Sequence, residues 1–175
     1  ILGRKTGHQS KPFDPFSHSK FERFKKENLE KKKSNSDVLE AEQKKEFLKG
    51  AELAYESIVV SFAAGDQKKL SSLLSEEMKN NFDNAIAQRK KDNIKSELTF
   101  IGIKQTNLEK YEKIKNDLFA TVKIVAEIIS VKKDINNKII SGDPDKIKTV
   151  TDHWKFTKNV FSKNPNWYLA EILGK

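Results

Sequence analysis

Cysteine is absent from all 175 residues, which excludes a disulfide framework, a thiolate nucleophile and any Cys-ligated metal site. Glycine occurs only seven times, and no glycine-rich loop of the kind that cradles phosphate is present. The lone Gly3-x-x-x-Gly7 spacing sits among polar residues and does not read as a helix-packing motif. The three histidines, His8, His18 and His153, are dispersed, without the spacing that holds a metal. No apolar run approaches the ~20 residues needed to cross a bilayer. Neither a cofactor nor a metal is expected.

Charge is what the chain has in abundance. Lys and Arg total 34 against 25 Asp and Glu, a formal net charge of +9. Such an excess favours anionic partners. It is concentrated at the start: residues 1–45 carry 12 basic and 7 acidic side chains. The chain opens Ile1-Leu2-Gly3-Arg4-Lys5-Thr6-Gly7-His8, in mid-phrase, and is expected to follow a removed upstream segment such as a membrane anchor.

Residues 1–19, with two of the four prolines, are expected to be extended. Residues 20–33 have helical composition, and Ser34-Asn35-Ser36-Asp37 is expected to break that segment. From Val38 to Ala64 apolar residues recur at helical spacing. Phe47, Ala51, Ala54, Ile58 and Phe62 form a stripe, widened by Leu48, Tyr55 and Val59. Gly65 reads as a stop. Asp66 caps a short helix with Leu70, Leu73 and Leu74 inward. Ser75 starts another, whose inner face is Met78, Phe82 and Ile86 and whose end is Arg89-Lys90-Lys91.

After Asn93 the period switches to two. Leu98, Phe100 and Gly102 alternate with Thr99, Ile101 and Ile103. Leu118–Val131 is a long β-rich run, apolar on both faces. Turns at Asp134–Lys138 and Gly142–Asp145 separate it from Ile139-Ile140 and from a strand over Val150–Thr157. A last strand covers Asn166–Ile172. Helices first and an antiparallel meander after them predict an α+β fold, with helices packed on a curved sheet. The expected division is a basic, partly disordered or helical linker over residues 1–39 and an α+β domain over residues 40–175.

Five aromatics of the sheet half, Phe100, Phe119, Trp154, Phe156 and Trp167, are the candidate lining of an apolar pocket. Asp152 shares a strand face with Trp154 and Phe156. His153 points to the other face, so the two do not form a catalytic pair. No catalytic residue is assigned and the chain is read as non-enzymatic. The basic clusters lack the interleaved aromatics of a nucleic-acid groove, and no nucleic-acid partner is expected. Arg23, Lys25, Lys26, Lys31, Lys32, Lys33, Lys44 and Lys45 are the candidate contacts to anionic headgroups.

The phrases LGRKTGH, PFDPF, FLKGAELAYESIVVSFAAGD, LSSLLSEEM, ISGDPDKI with VTDHWKF, and NPNWYLAEI, in that order, together resemble one family. It is the C-terminal domain of the forty-four-kilodalton subunit of the mitochondrial inner-membrane translocase, with its bacterial inner-membrane adaptor relatives. The resemblance implies a cone like nuclear transport factor two, with an apolar pocket. It also implies a membrane-associated adaptor, peripheral at the inner membrane, that binds anionic lipid and membrane or chaperone proteins. If an anchor precedes Ile1, Arg4, Lys5 and Lys11 flank it and are expected to keep the domain on the cytoplasmic side. Mitochondrial members tether a chaperone of the seventy-kilodalton class. The long segment that does so there is expected to have no counterpart here. The alternatives are a small-ligand or lipid carrier, and a small enzyme on the same cone.

Overall fold

The computed structural model describes the backbone of residues 18–174 and the side chains of residues 41–174. The expectations for residues 1–17, and for the side chains of the linker, lie outside the described residues. Contacts divide the chain into two units, Ile1–Gln43 and Lys44–Lys175. The core described below belongs to the second.

Helix α1 runs His18–Ala64 without interruption, so the break expected at residues 34–37 does not occur. Ser, Asn and Asp each cost a helix only about 0.5 kcal/mol relative to better formers. Neither Gly nor Pro occurs between Pro15 and Gly50, and Lys and Glu on both sides favour the helix. It stops at Gly65, which takes φ 72°. There Asp66 N donates to Ser61 O at 2.9 Å and Gly65 N to Phe62 O at 3.2 Å, the paired closure of a Schellman end. Asp66 then caps α2 (Gln67–Ser71), accepting from Lys69 N. Ser75 caps α3 (Glu76–Lys91), accepting from Met78 N. Both caps fall where the sequence placed them.

Five strands follow: β1 (Lys95–Ile114), β2 (Asp117–Lys133), β3 (Ile139–Gly142), β4 (Lys148–Asn159) and β5 (Tyr168–Leu173). They form one antiparallel sheet in the order β1-β2-β4-β5, with β3 on β2. β3 and β4 lie along the same side of β2: Val131 pairs with Gly142 and Ile128 with Lys148. The segment between them is therefore an excursion from one long path. β1 is the surprise. It is 20 residues long, and its pairing with β2 slips at Ile101, Lys104 and Glu109. Those bulges break the expected alternation. Gly102 pairs with Glu127, whereas Ile103 pairs with the fully buried Ala126 and packs on the core. Phe100, Ile103, Thr106 and Leu108 thus reach one face at spacings of three, three and two. Bulges of this kind increase local twist and bend the strand.

The core lies between α1 and the concave face of that sheet. Ala51, Tyr55 and Ile58 of α1 meet Val122, Ile124 and Ala126 of β2 and Trp154 and Phe156 of β4. Leu70, Leu74, Met78 and Ile86 close one side together with Leu169 of β5. The chain turns from β3 at Gly142, where φ is 85° and an added Cβ would collide with the Ser130 carbonyl. Gly142→Ala is expected to destabilise the fold by about 1–3 kcal/mol. Urea unfolding measures it, and an unchanged midpoint would refute this account of the turn.

Candidate functional site

One rung of the sheet organises the interior. Thr106, Ile124 and Asp152 stand opposite one another across β1, β2 and β4. The middle member is fully buried and apolar; the outer two are polar. Both polar ends are taken by α1. Thr106 Oγ1 donates to Glu52 Oε1 at 2.7 Å, and the Tyr55 hydroxyl donates to Asp152 Oδ2 at 2.6 Å. Glu52 and Tyr55 are three residues apart, one helical turn, and so lie on one face.

Around Tyr55 the aromatics form a continuous row. Its ring lies 4.5 Å from Trp154 and 6.3 Å from Phe100. Trp154 adjoins Phe156 at 6.3 Å, Phe156 meets Phe47 at 6.2 Å, and Phe47 meets Trp167 at 4.8 Å. Tyr111 stands 6.4 Å beyond Trp167. Four of the five sequence candidates, Phe100, Trp154, Phe156 and Trp167, therefore lie in this row. Phe119 does not. It precedes the buried Ala120 on β2, so its ring points to the opposite face, where Lys155 Nζ sits 5.4 Å from its centroid. Phe47 and Tyr55 were not among the sequence candidates for the site. Their only signal was the α1 stripe, which reads as ordinary core.

Asp152 and His153 diverge as alternation requires. Asp152 faces Tyr55, whereas His153 Nδ1 lies 2.9 Å from Glu109 Oε2 on the other face. Burial first, then the hydrogen bond and the negative charge of Asp152, push the Tyr55 phenol well above its ordinary value. A phenol so held is a persistent donor and a poor base. The pair ties a helix to a strand. Trp154 Nε1 is buried with no hydrogen-bond partner among the described residues. Among those residues no group of His, Asp and Glu is arranged to hold a metal.

Of the candidate membrane contacts, Lys44 and Lys45 are described and both are exposed. Arg23, Lys25, Lys26, Lys31, Lys32 and Lys33 lie outside the described side chains. No described helix is long and apolar enough to cross a membrane. A separate groove of about 500 Å³ opens where α1 and α3 end, between Gly65, Arg89, Lys90, Lys95 and the β2–β3 turn at Asp134–Asn137. No local pattern in the sequence marks it, because its walls are distant in the chain.

The family model of the Tim44-like domain matches residues 20–174. No curated protein matches. Among solved structures, the intermembrane space region of the chloroplast protein ARC6 is similar at 13% identity and TM-score 0.48, covering 73% of this chain and 97% of that one.

The Tyr55–Asp152 bond has a signature in pH. The unfolded phenol loses its proton near 10, whereas the folded one keeps it. The bond's contribution is therefore complete below about pH 10 and declines as pH rises further, by up to about 1.4 kcal/mol per unit. Tyr55→Phe is expected to cost about 1–3 kcal/mol at pH 8 by stranding the carboxylate. Its deficit against wild type should shrink above pH 10. A deficit constant from pH 8 to 11.5 in urea unfolding would contradict the assignment.

Proposed function

The chain belongs to the Tim44-like domain family, and on that footing we propose that it is a non-enzymatic adaptor that holds protein partners at an anionic membrane surface. The observation that carries the proposal is the match over residues 20–174, to a family associated with membrane-associated import and adaptor roles. Two features support it. The half-buried Asp152 carboxylate is engaged in a hydrogen bond between helix and strand. The net charge of +9, densest in the first 45 residues, favours anionic headgroups.

In this reading the folded unit stands on the cytoplasmic side of an inner membrane. Arg4, Lys5 and Lys11 are the charges that stay on that side when a span precedes them. Arg23, Lys25, Lys26, Lys31, Lys32, Lys33, Lys44 and Lys45 then contribute about 1 kcal/mol apiece near the surface, less the effect of neighbouring acids. Partners are membrane or chaperone proteins.

A carrier of an apolar ligand is the second reading, favoured by the unpartnered Trp154 Nε1 inside an aromatic row. Such a ligand would carry an acceptor for that N–H. Trp154→Phe keeps most of the ring and removes the donor. The carrier reading expects 1-anilinonaphthalene-8-sulfonate to bind the native chain and to bind Trp154→Phe more weakly. The adaptor reading expects no difference.

Liposome co-sedimentation tests the membrane role. Residues 1–175 should pellet with anionic vesicles at low salt and be released near 1 M salt, where the Debye length is about 3 Å. A chain starting at Val38 should bind less. Equal binding of both, or binding insensitive to salt and to anionic lipid content, would refute the tail's part.

A further inference from the structure

We propose that the groove between the ends of α1 and α3 and the β2–β3 turn is a docking site for an extended acidic segment of a partner protein that also carries apolar side chains. The proposal rests on the adaptor reading and names the chemistry of its partner, at a surface separate from the basic tail.

Charge is the first argument. Arg89, Lys90 and Lys95 line the groove against a single carboxylate, Asp134. That carboxylate is already engaged, since Asp134 Oδ1 accepts from the backbone N–H of Asn136 at 2.8 Å and of Lys138 at 3.0 Å. Two helix C-termini converge here, and open carbonyls would repel an anion. They are closed from within. Arg89 Nη2 donates to Phe62 O at 2.8 Å and Ala63 O at 3.1 Å, while its guanidinium lies 5.1 Å from the Phe62 ring centroid. The amides of Asp92, Asn93 and Ile94 take the carbonyls of Gln88, Lys90 and Arg89. The cations therefore dominate the field. Lys90 is exposed and has no partner among the described residues. Lys95 reaches only Glu97, at 3.4 Å, and Glu97 is held more closely by Lys133 at 2.9 Å.

Apolar surface is the second argument. Ile135, at the groove's wall, is 73% exposed. On the adjoining β3 and its continuation Ile139, Ile140 and Ile147 are 41%, 50% and 57% exposed. Of these only Ile135 lines the groove itself, and its side chain is the apolar contact the groove offers. Ala63 and Ala64 form a low wall opposite. Asn93 and Asn137 also line the groove, and amide groups suit the alternating donors and acceptors of a peptide backbone. The volume, about 500 Å³, is within the range of ligand sites.

The test uses the full chain and a labelled peptide of about ten residues alternating Glu and Leu. The expected result is saturable binding, with amide shifts in the NMR spectrum confined to residues 63–65, 89–96 and 134–137. Lys90→Glu with Lys95→Gln should weaken binding by about tenfold or more, and Ile135→Ser should weaken it separately. All three substitutions are at exposed side chains, and an unchanged spectrum outside the groove confirms folding. A peptide with Lys in place of Glu should not bind. Absence of peptide binding, shifts elsewhere, or affinity indifferent to these variants overturns the proposal. So does a groove perturbed by anionic vesicles and not by the peptide, which would assign it to lipid headgroups. Deleting residues 1–37 leaves the expected peptide affinity unchanged, so failure of the tail's membrane role and failure of the groove are read separately.

Discussion

The fold depends on a match between two periods across one rung of the sheet. α1 presents a face every three to four residues, and the sheet presents one every two. Where they meet, at Thr106, Ile124 and Asp152, the centre is dry and the two flanks are polar. A helix laid there must supply an apolar contact in the middle and a polar partner at each side. Glu52 and Tyr55 do this from a single turn. A half-turn rotation of α1 would strand both polar ends and expose Ile58, so the bonds fix the helix's rotation while apolar burial supplies most of the attraction. The aromatic row is a consequence of that rotation, since it places Tyr55 against Trp154 and Phe47 against Trp167.

Much of this was legible in the sequence, and the parts that were not have specific causes. Gly65, Asp66 and Ser75 marked helix ends because their chemistry is local: a positive φ and two side-chain acceptors. β2 was legible because it is buried on one face and half-buried on the other. The second half of β1 was not. Residues 104–114 are rich in Lys and Glu, which are depleted in strands. They are held extended by pairing with β2 through a hairpin whose two-residue turn, Lys115-Asn116, has no glycine. Three bulges then scrambled the alternation that a period-two reading relies on. The 34–37 break failed for the opposite reason: cap-forming residues compete with a helix only where the flanking segments are weak.

Site residues divide along the same line. Trp154 and Phe156 alternate with outward-facing neighbours, so the shared face of Asp152 with both was readable, as was the divergence of His153. Phe119 was grouped with the inner aromatics because the run around it is apolar on both faces, and only the register shows that Ala120 takes the inner position. The partner of Asp152 lies 97 residues away. No local pattern announces a bond of that length. A tyrosine in an otherwise apolar helical stripe was the one hint, because a buried hydroxyl needs a partner.

Both margins of the sheet are occupied or disturbed. On the β5 side, Ser75 N donates to Leu169 O and Leu169 N to Leu73 O, each at 2.9 Å, so the helix linker covers the middle of that margin. On the β1 side the three bulges interrupt the straight ladder that an incoming strand would need. Strand addition, a common way for proteins to recruit a peptide or to aggregate, is therefore disfavoured at the β1 and β5 margins, leaving the short outer edge of β3 without a strand partner among the described residues. At those two margins recognition falls instead to side chains, where one substitution at a time can retune affinity without altering the backbone frame.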